Sequence, residues 1–439
     1  MSFFVKFTPM PDGGQIVKEI FKLNYNKLKS VIIIGGGIIG LCSAYYLAKE
    51  GHKVIVIDQS DISSGASFVN AGYISPSHVI PLSSPGMVAS GFKMMFNQAS
   101  PFYFKPRLDL DLFKWAWNFN KSATQKHVNY ASPIIKELTV FSRDLFQEMK
   151  NSGVFDFHFE RKGLLMAYQT SKFEEKEAYI ADVARAQGLD VKQIDKAKLK
   201  EMEPEIKAEG AFYYLDDAHS TPDDFMKKMH HYLQLKGVQF YMDEKVLDFE
   251  RNANTVTHLI TDKQRHQFDE IIIAAGSWSP IIAKKLGIQI LVQAGKGYRI
   301  NLNRPTGINY PAILAERNTA VSPMNGFTRF GGTMEIGGIN ATINKIRVKQ
   351  IAENAKAFYP NITITAEEME LAACGLRPVS PDGLPYIGRS KKHSNVSFAT
   401  GHAMMGWSQA HGTAKLISEI ISEKTPSLNL EPFSAERFN

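Results

Sequence analysis

The apolar run Val31–Ile34 leads into Gly35, Gly37 and Gly40, spaced G-x-G-x-x-G. Gly35 permits a tight turn, Gly37 lets backbone N–H groups approach a pyrophosphate, and Gly40 lets the following helix pack close to the strand. The phosphates then lie at the positive end of that helix. Such spacing alone recurs in many glycine-rich chains, but here its context is complete. Ala44 and Ala48 continue the small-residue face, Gly51 ends the helix, and Val54–Ile57 reads as a second strand. Asp58 follows that strand, where a carboxylate accepts hydrogen bonds from a ribose and disfavours a 2′-phosphate. The chemistry is dinucleotide binding, and this motif leaves FAD and NAD both open. Further glycines at Ala71-Gly72, Ala274–Trp278, Gly375 and Gly401–Gly406 suit a large flavin held by backbone contacts from several strand ends.

The elements that position these residues follow from apolar periodicity. Runs at 31–34, 54–57, 238–241 and 271–274 read as buried strands. Helical periods cover 37–50, 174–187, 223–236 (with Thr221 as N-cap and Pro222 at the first position) and 412–422. Strand, helix and strand alternate near the start and again over 221–276, which predicts a parallel sheet in an α/β fold. Residues 77–205 read as long helical patterns with a lone strand at 163–168, and 288–371 as short alternating runs such as 297–302 and 327–336. The expected division is an N-terminal extension (1–29), a discontinuous Rossmann-like cofactor domain (30–76, 206–287 and 372–439) and an α+β substrate domain built from two insertions (77–205 and 288–371).

At these motifs the chain resembles the D-amino-acid oxidase superfamily of FAD-dependent amine oxidoreductases, and most closely its D-amino-acid dehydrogenase branch. The resemblance spans residues 31 to about 425. It rests on the glycine motif at 35–40, Ser67-x-x-Asn70-Ala-Gly72, Ala274-Ala-Gly-Ser-Trp278, Lys296-Gly-Tyr298, Gly375-Leu-Arg377-Pro and Thr400-Gly-His402. It implies FAD held along Ile38, Ile39, Asp58, Gln59, Ala66 and Ser67, then by Asn70, Gly72, Tyr73 and Val246, with Ala275, Gly276 and Trp278 from the third motif. The isoalloxazine ring is expected near His402, Met405, Gly406 and Trp407. Hydride transfer from Cα to flavin N5 places negative charge on the ring, and the start of the last helix after Gly401–Gly406 is expected to offset it. His402 is expected either as an added donor or as a histidine held by the backbone.

Arg377 is the expected anchor for a substrate carboxylate, because a planar guanidinium pairs with it in bidentate fashion. No side-chain general base is required if the amine binds deprotonated, and none is assigned. Departures from the glycine-oxidase pattern narrow the substrate. A second Arg two positions after the motif His is Met404 here, and two pocket tyrosines correspond to Ala315 and Ala320. A larger, more apolar D-amino acid is therefore expected, including cyclic ones such as D-proline or hydroxy-D-proline. The product is the 2-oxo acid or a cyclic imine, and electrons pass to a quinone or another carrier. An oxygen-using amine oxidase and a non-catalytic flavin subunit are the alternatives. Cys374 falls one position short of the flavin-linking Cys of sarcosine-oxidase-like sequences, so noncovalent FAD is expected.

Composition limits the other classes. The 439 residues are 44% hydrophobic and 22% charged, which excludes a disordered or collagenous chain, and two cysteines exclude a disulfide framework. The net charge of +7 comes wholly from residues 1–30 (+3) and 87–127 (+4), so no nucleic-acid surface is expected. The uncharged stretch 31–48 holds four glycines and reads as strand, turn and helix rather than a membrane span. Ile16, Val17, Ile20, Phe21 and Leu23 suit a short docking helix. Within 87–127, Val88, Phe92, Met95 and Phe96, with the aromatics of 113–119, suit either a lid or a peripheral contact of a cytoplasmic protein with the inner face of an anionic membrane. Adjacent His230 and His231 point about 100° apart on a helix, no HxxxH spacing exists, and no metal ligands are assigned. No GxSxG or Walker motif is present.

Overall fold

A computed structural model describes residues 28–85 and 100–438. The expected docking helix near Ile16 and the apolar face at Val88–Phe96 lie outside the described residues. Strands β1 (Ser30–Ile34), β2 (Lys53–Ile57), β3 (Gln239–Tyr241), β4 (Glu270–Ile273), β5 (Tyr386–Arg389) and β6 (Val396–Thr400) form one sheet in the order β3-β2-β1-β4-β6-β5, parallel except for β5. Its central strands β1, β2 and β4 are apolar over Val31–Ile34, Val54–Ile57 and Ile271–Ile273, as both faces are covered. Val31 and Ile33 of β1 enter a cluster with helices α1 (Ile38–Lys49), α2 (Gln125–Ser152) and α3 (Ala410–Ile421), while Ile32 and Ile34 enter a second cluster over the three-stranded sheet at 246–267.

A nine-stranded sheet forms the other layer. Its main path runs Ala373–Val379, Gln293–Leu302, Phe327–Ile336, Thr319–Met324, Ala312–Leu314, Leu164–Tyr168, Gly210–Tyr214 and Val191–Asp195, and Phe102–Phe104 adds to the edge of Phe327–Ile336.

Three stretches depart from the expected division. Gly210–Tyr214 and Ala373–Val379, expected in the cofactor domain, pair into the nine-stranded sheet. Helix α2, expected in the substrate domain, buries Ala131, Ile135, Leu138 and Phe146 in the core of the six-stranded sheet. It lies so close to α3 that a Cβ at Gly412 would stand 3.0 Å from the Leu138 carbonyl oxygen. Apolar period reveals that an element is buried on one face but not which partner covers it. Helix α2 is capped by Thr124, whose Oγ1 accepts from the His127 amide at 3.2 Å, and it ends at Gly153 in the left-handed region. The last helix begins at Ala410, so Gly401–Gly406 is separated from it by a further turn.

Candidate functional site

Between the two sheets lies a cleft of about 1550 Å³, larger than the roughly 300–1,000 Å³ of an ordinary small-ligand pocket and suited to a dinucleotide with a substrate beside it. At its nucleotide end Gly35 adopts φ +114°, and a Cβ there would overlap the Ala274 carbonyl oxygen. A Cβ on Gly40 would strike the Gly35 carbonyl, so this glycine sets helix–strand packing and stands off the cleft wall. Asp58 faces the cleft, with Oδ2 accepting from the Gly36 amide at 2.6 Å and Oδ1 from the Ser60 amide and hydroxyl at 2.9 Å. Gln59 lies beside it, exposed.

Ser67 Oγ accepts from the Ile38 amide at 2.9 Å, tying the 65–68 turn to the start of α1. Ile38, Ile39, Gly37 and Ala66 complete this part of the wall. Asn70 Oδ1 accepts from the Gly72 amide at 2.8 Å. Gly72 itself does not reach the cleft: at φ +79° it presses on Ser220, whose carbonyl a Cβ would overlap. Its expected contact with the cofactor is therefore replaced by a backbone crossing. Tyr73 lines the cleft and accepts from the Val321 amide at 2.9 Å, which fastens the cofactor side to the nine-stranded sheet. Val246, Ala275, Gly276 and Trp278 close the wall beyond β4.

Across the cleft stand His402, Met405, Gly406 and Trp407. Buried His402 pairs its Nε2 with Thr413 Oγ1 at 2.9 Å, so its partner is a side chain of α3 rather than the backbone. Burial pushes its pKa down to about 3, and the ring is neutral near pH 7. Trp407 donates from Nε1 to Ser220 Oγ at 2.8 Å and packs against Phe146 and Phe225, so most of the ring belongs to the core.

Arg377 projects from Ala373–Val379 over Gly297, where a Cβ would collide with the guanidinium. Its Nη1 donates to the Thr333 carbonyl at 2.8 Å, and among the described residues no carboxylate stands within 4.0 Å of it. Burial pushes its pKa down to about 10, with Arg347 adding to the push, which still leaves a cation at pH 7. A buried charge without a counterion is costly, so this end of the cleft is prepared for an anion. Thr333 holds its carbonyl in place from φ +63°, a conformation rare outside glycine. Tyr298, also on the wall, donates to Glu335 Oε2 at 2.9 Å, and Lys296 lies 3.4 Å from Glu335 Oε1.

A family model described as FAD dependent oxidoreductase (DAO) matches residues 30–420. The chain belongs to this family. It is 32% identical over 409 residues to D-amino acid dehydrogenase of Helicobacter pylori, covering 92% of this chain and 97% of the relative. It is 27% identical over 418 residues to D-amino acid dehydrogenase of Neisseria meningitidis, covering 93% and 99%. Among solved structures, glycine oxidase from Geobacillus kaustophilus superimposes with TM-score 0.74 at 21% identity, covering 93% of this chain and 98% of that one. L-proline dehydrogenase from P. horikoshii does so with TM-score 0.73 at 17% identity, covering 94% and 98%. These likenesses carry the DAO-family fold across the whole cleft.

Arg329 is a cleft residue that sequence reasoning misses. It is 1% exposed on the cleft wall and donates to the Asn70 carbonyl at 2.6 Å and to Asn301 Oδ1 at 2.9 Å, with Asp223 at 3.5 Å. It thereby holds the 68–70 segment against the nine-stranded sheet. A charged residue in an alternating strand reads as solvent-facing, so nothing local announces it. His230 and His231 do not fall in any metal-ligating group among the described residues.

Proposed function

We propose that this DAO-family protein is an FAD-dependent D-amino-acid dehydrogenase, which oxidises the Cα–N bond of a D-amino acid whose carboxylate is held by Arg377. The observation that carries this reading is the uncompensated Arg377 guanidinium on the cleft wall. The D-amino acid dehydrogenases of H. pylori and N. meningitidis, similar over nearly their full lengths, point to the same substrate class. Gly35, Gly37, Asp58, Ser67, Gly276 and the turn at 402–407 would hold FAD, whose bound ring supplies acceptance of a hydride from the substrate Cα. Arg377 orients that carbon. Neutral His402, engaged by Thr413, takes no proton from the amine, which enters deprotonated. The resulting imine is hydrolysed by water to a 2-oxo acid and ammonia, or stays cyclic when the substrate is a ring.

Side-chain selectivity comes from Ala320, Ile313, Met334 and Met404, which leave an apolar and roomy wall. Ala315, by contrast, is buried away from the cleft against Phe212 and Tyr214. FAD is held without a covalent link. Cys42 is buried on α1, and Cys374 Sγ donates to the Ala341 carbonyl at 3.5 Å while burial raises its pKa, so neither presents a thiolate.

Electrons leave to a quinone at a membrane surface. Among the described residues no helix is long and apolar enough to cross a membrane. The helix Leu110–Ser122 instead turns Leu112 and Trp115 inward and leaves Leu110, Phe113 and Trp117 exposed, Trp117 at 72%, next to Leu108 at 99% and near Lys105, Lys114 and Lys121. Exposed apolar side chains flanked by Lys105, Arg107, Lys114 and Lys121 against Asp109 and Asp111, a net basic stretch, suit the interface of an anionic bilayer.

An anaerobic screen of both enantiomers of the amino acids tests the activity. Bleaching of the flavin by D- but not L-enantiomers is expected, and bleaching by none, or by L-enantiomers alone, would overturn it. Hydrogen peroxide release at the turnover rate under air would replace the quinone with oxygen. Salt-sensitive binding to anionic vesicles, lost in Phe113→Ser/Trp117→Ser, is expected of the membrane contact.

A further inference from the structure

Away from the cleft wall, three ligating side chains meet on the small sheet formed by Tyr73–Ile74, Ala218–Ser220 and Phe159–Glu160. Glu160 pairs across strands with His219, and His158 stands two residues from Glu160, on the same side of an extended chain. His158 Nε2 is 3.7 Å from Glu160 Oε1, and His219 Nε2 is 3.7 Å from Glu160 Oε2. One donor atom from each residue lies within 4.8 Å of the other two. Around a tetrahedral ion with bonds of roughly 2.0–2.1 Å, neighbouring donors stand about 3.3 Å apart, so a small inward shift gives each of them a bond.

A second observation points the same way. His219 is 0% exposed, no side-chain hydrogen bond holds its ring nitrogens, and the Pro323 backbone beside the ring serves as its outer partner while Nε2 faces Glu160. His158 Nδ1 lies 2.8 Å from Thr221 Oγ1, the outer hydrogen bond that orients a metal-ligating histidine. Lys162 Nζ holds Glu160 Oε2 at 2.9 Å from a side chain that is 46% exposed, so it can swing into solvent when an ion takes its place.

We propose that His158, Glu160 and His219 bind one divalent first-row transition ion, with zinc best suited to two imidazoles and a carboxylate and water as the fourth ligand. Its role is structural. The strand carrying His219 also carries Ser220, which accepts the Trp407 indole N–H at 2.8 Å and donates its amide to the Gly72 carbonyl at 2.9 Å. The ion therefore braces the strand behind the cofactor cleft. This inference stands independently of the substrate assigned above.

The test uses untagged holoprotein, treated with a chelator and titrated with Zn²⁺ against a chromophoric competitor, then with Co²⁺ followed by its visible bands. One equivalent of each metal, a tetrahedral cobalt spectrum and a thermal midpoint raised by Zn²⁺ are expected. Thr221→Val should weaken binding about 10- to 100-fold as an outer-shell loss. Glu160→Gln and His158→Ala, whose side chains are partly exposed, should weaken it further while the flavin absorbance shows that the fold persists. Absence of a bound equivalent in the wild type, or equal affinity in the wild type and Glu160→Gln, overturns the proposal.

Discussion

The six-stranded sheet meets the cleft through glycines and backbone amides at 35–38, whereas the nine-stranded sheet meets it through the side chains of Arg377, Tyr298 and Arg329. The first end depends on close approach: Gly35 and Gly40 leave no room for a Cβ, and Asp58 is already bonded to the Gly36 amide. The second depends on charge held away from water, with Arg377 facing no carboxylate among the described residues. A cofactor that stays bound is well served by a rigid main-chain cradle. The substrate proposed for the other end must come and go, and one unmatched charge would serve it better.

This contrast can be broken from either side. The largest effect is expected for Gly40→Val, whose side chain collides with the Gly35 carbonyl. More than about 4 kcal/mol of stability should be lost, with FAD, as read by denaturant unfolding and flavin content. Arg377→Leu should leave FAD in place and raise KM about 100-fold, since a charge-assisted contact contributes roughly 1.5–3 kcal/mol. Unchanged steady-state kinetics with a D-amino acid would remove Arg377 from the substrate end.

Acid sharpens the comparison further, because one buried group beside each sheet responds with opposite sign. His411, buried against Phe146 on the helical side, has its pKa pushed by burial from 6.5 to about 3. The unfolded chain takes up that proton below about pH 6.5 and the folded chain does not. Stability from His411 is therefore lost as pH falls, at about 1.4 kcal/mol per unit. Glu203, beneath the nine-stranded sheet, is pushed by burial from 4.5 up to about 7. The folded chain keeps that proton while the unfolded chain releases it, so its contribution is present below about pH 4.5 and is lost as pH rises towards 7. In plots of denaturant midpoint against pH between 4 and 6.5, His411→Asn should flatten the acid-side fall and Glu203→Gln should steepen it. The smallest effect is expected for Ala320→Phe, which narrows the apolar wall. KM for D-phenylalanine should rise about tenfold more than KM for D-alanine.

Much of the nucleotide end is legible in the sequence. Gly35, Gly37, Ile38, Asp58 and Ser67 all reach the wall as the motif implies. The exceptions are instructive. Gly72 is a glycine because Ser220 crosses it, and Trp407 is mostly core; neither distinction follows from a motif that marks glycine and aromatic positions alike. Arg329 cannot be read from the sequence at all, since its partners at Asn70 and Asn301 lie in other segments. The strand at 210–214 falls in a different layer from the one expected for the same reason: its partners at 164–168 and 191–195 come from the first insertion.

By itself the sequence determined the strand–turn–helix that receives a dinucleotide, because β1, the glycine turn, α1 and β2 are consecutive over residues 30–57 and their contacts are encoded by short spacings. It also singled out Arg377 between Gly375 and Pro378, although that stretch, which those residues suggest is a turn, is a strand over Ala373–Val379. Only the tertiary structure decided that Arg377 lies across Gly297 without a counterion, that α2 completes the core of the cofactor sheet, and that His158 and Glu160 meet His219. Those pairings join residues about sixty or more positions apart. Their geometry is set by which strands find one another, and no local spacing carries that information.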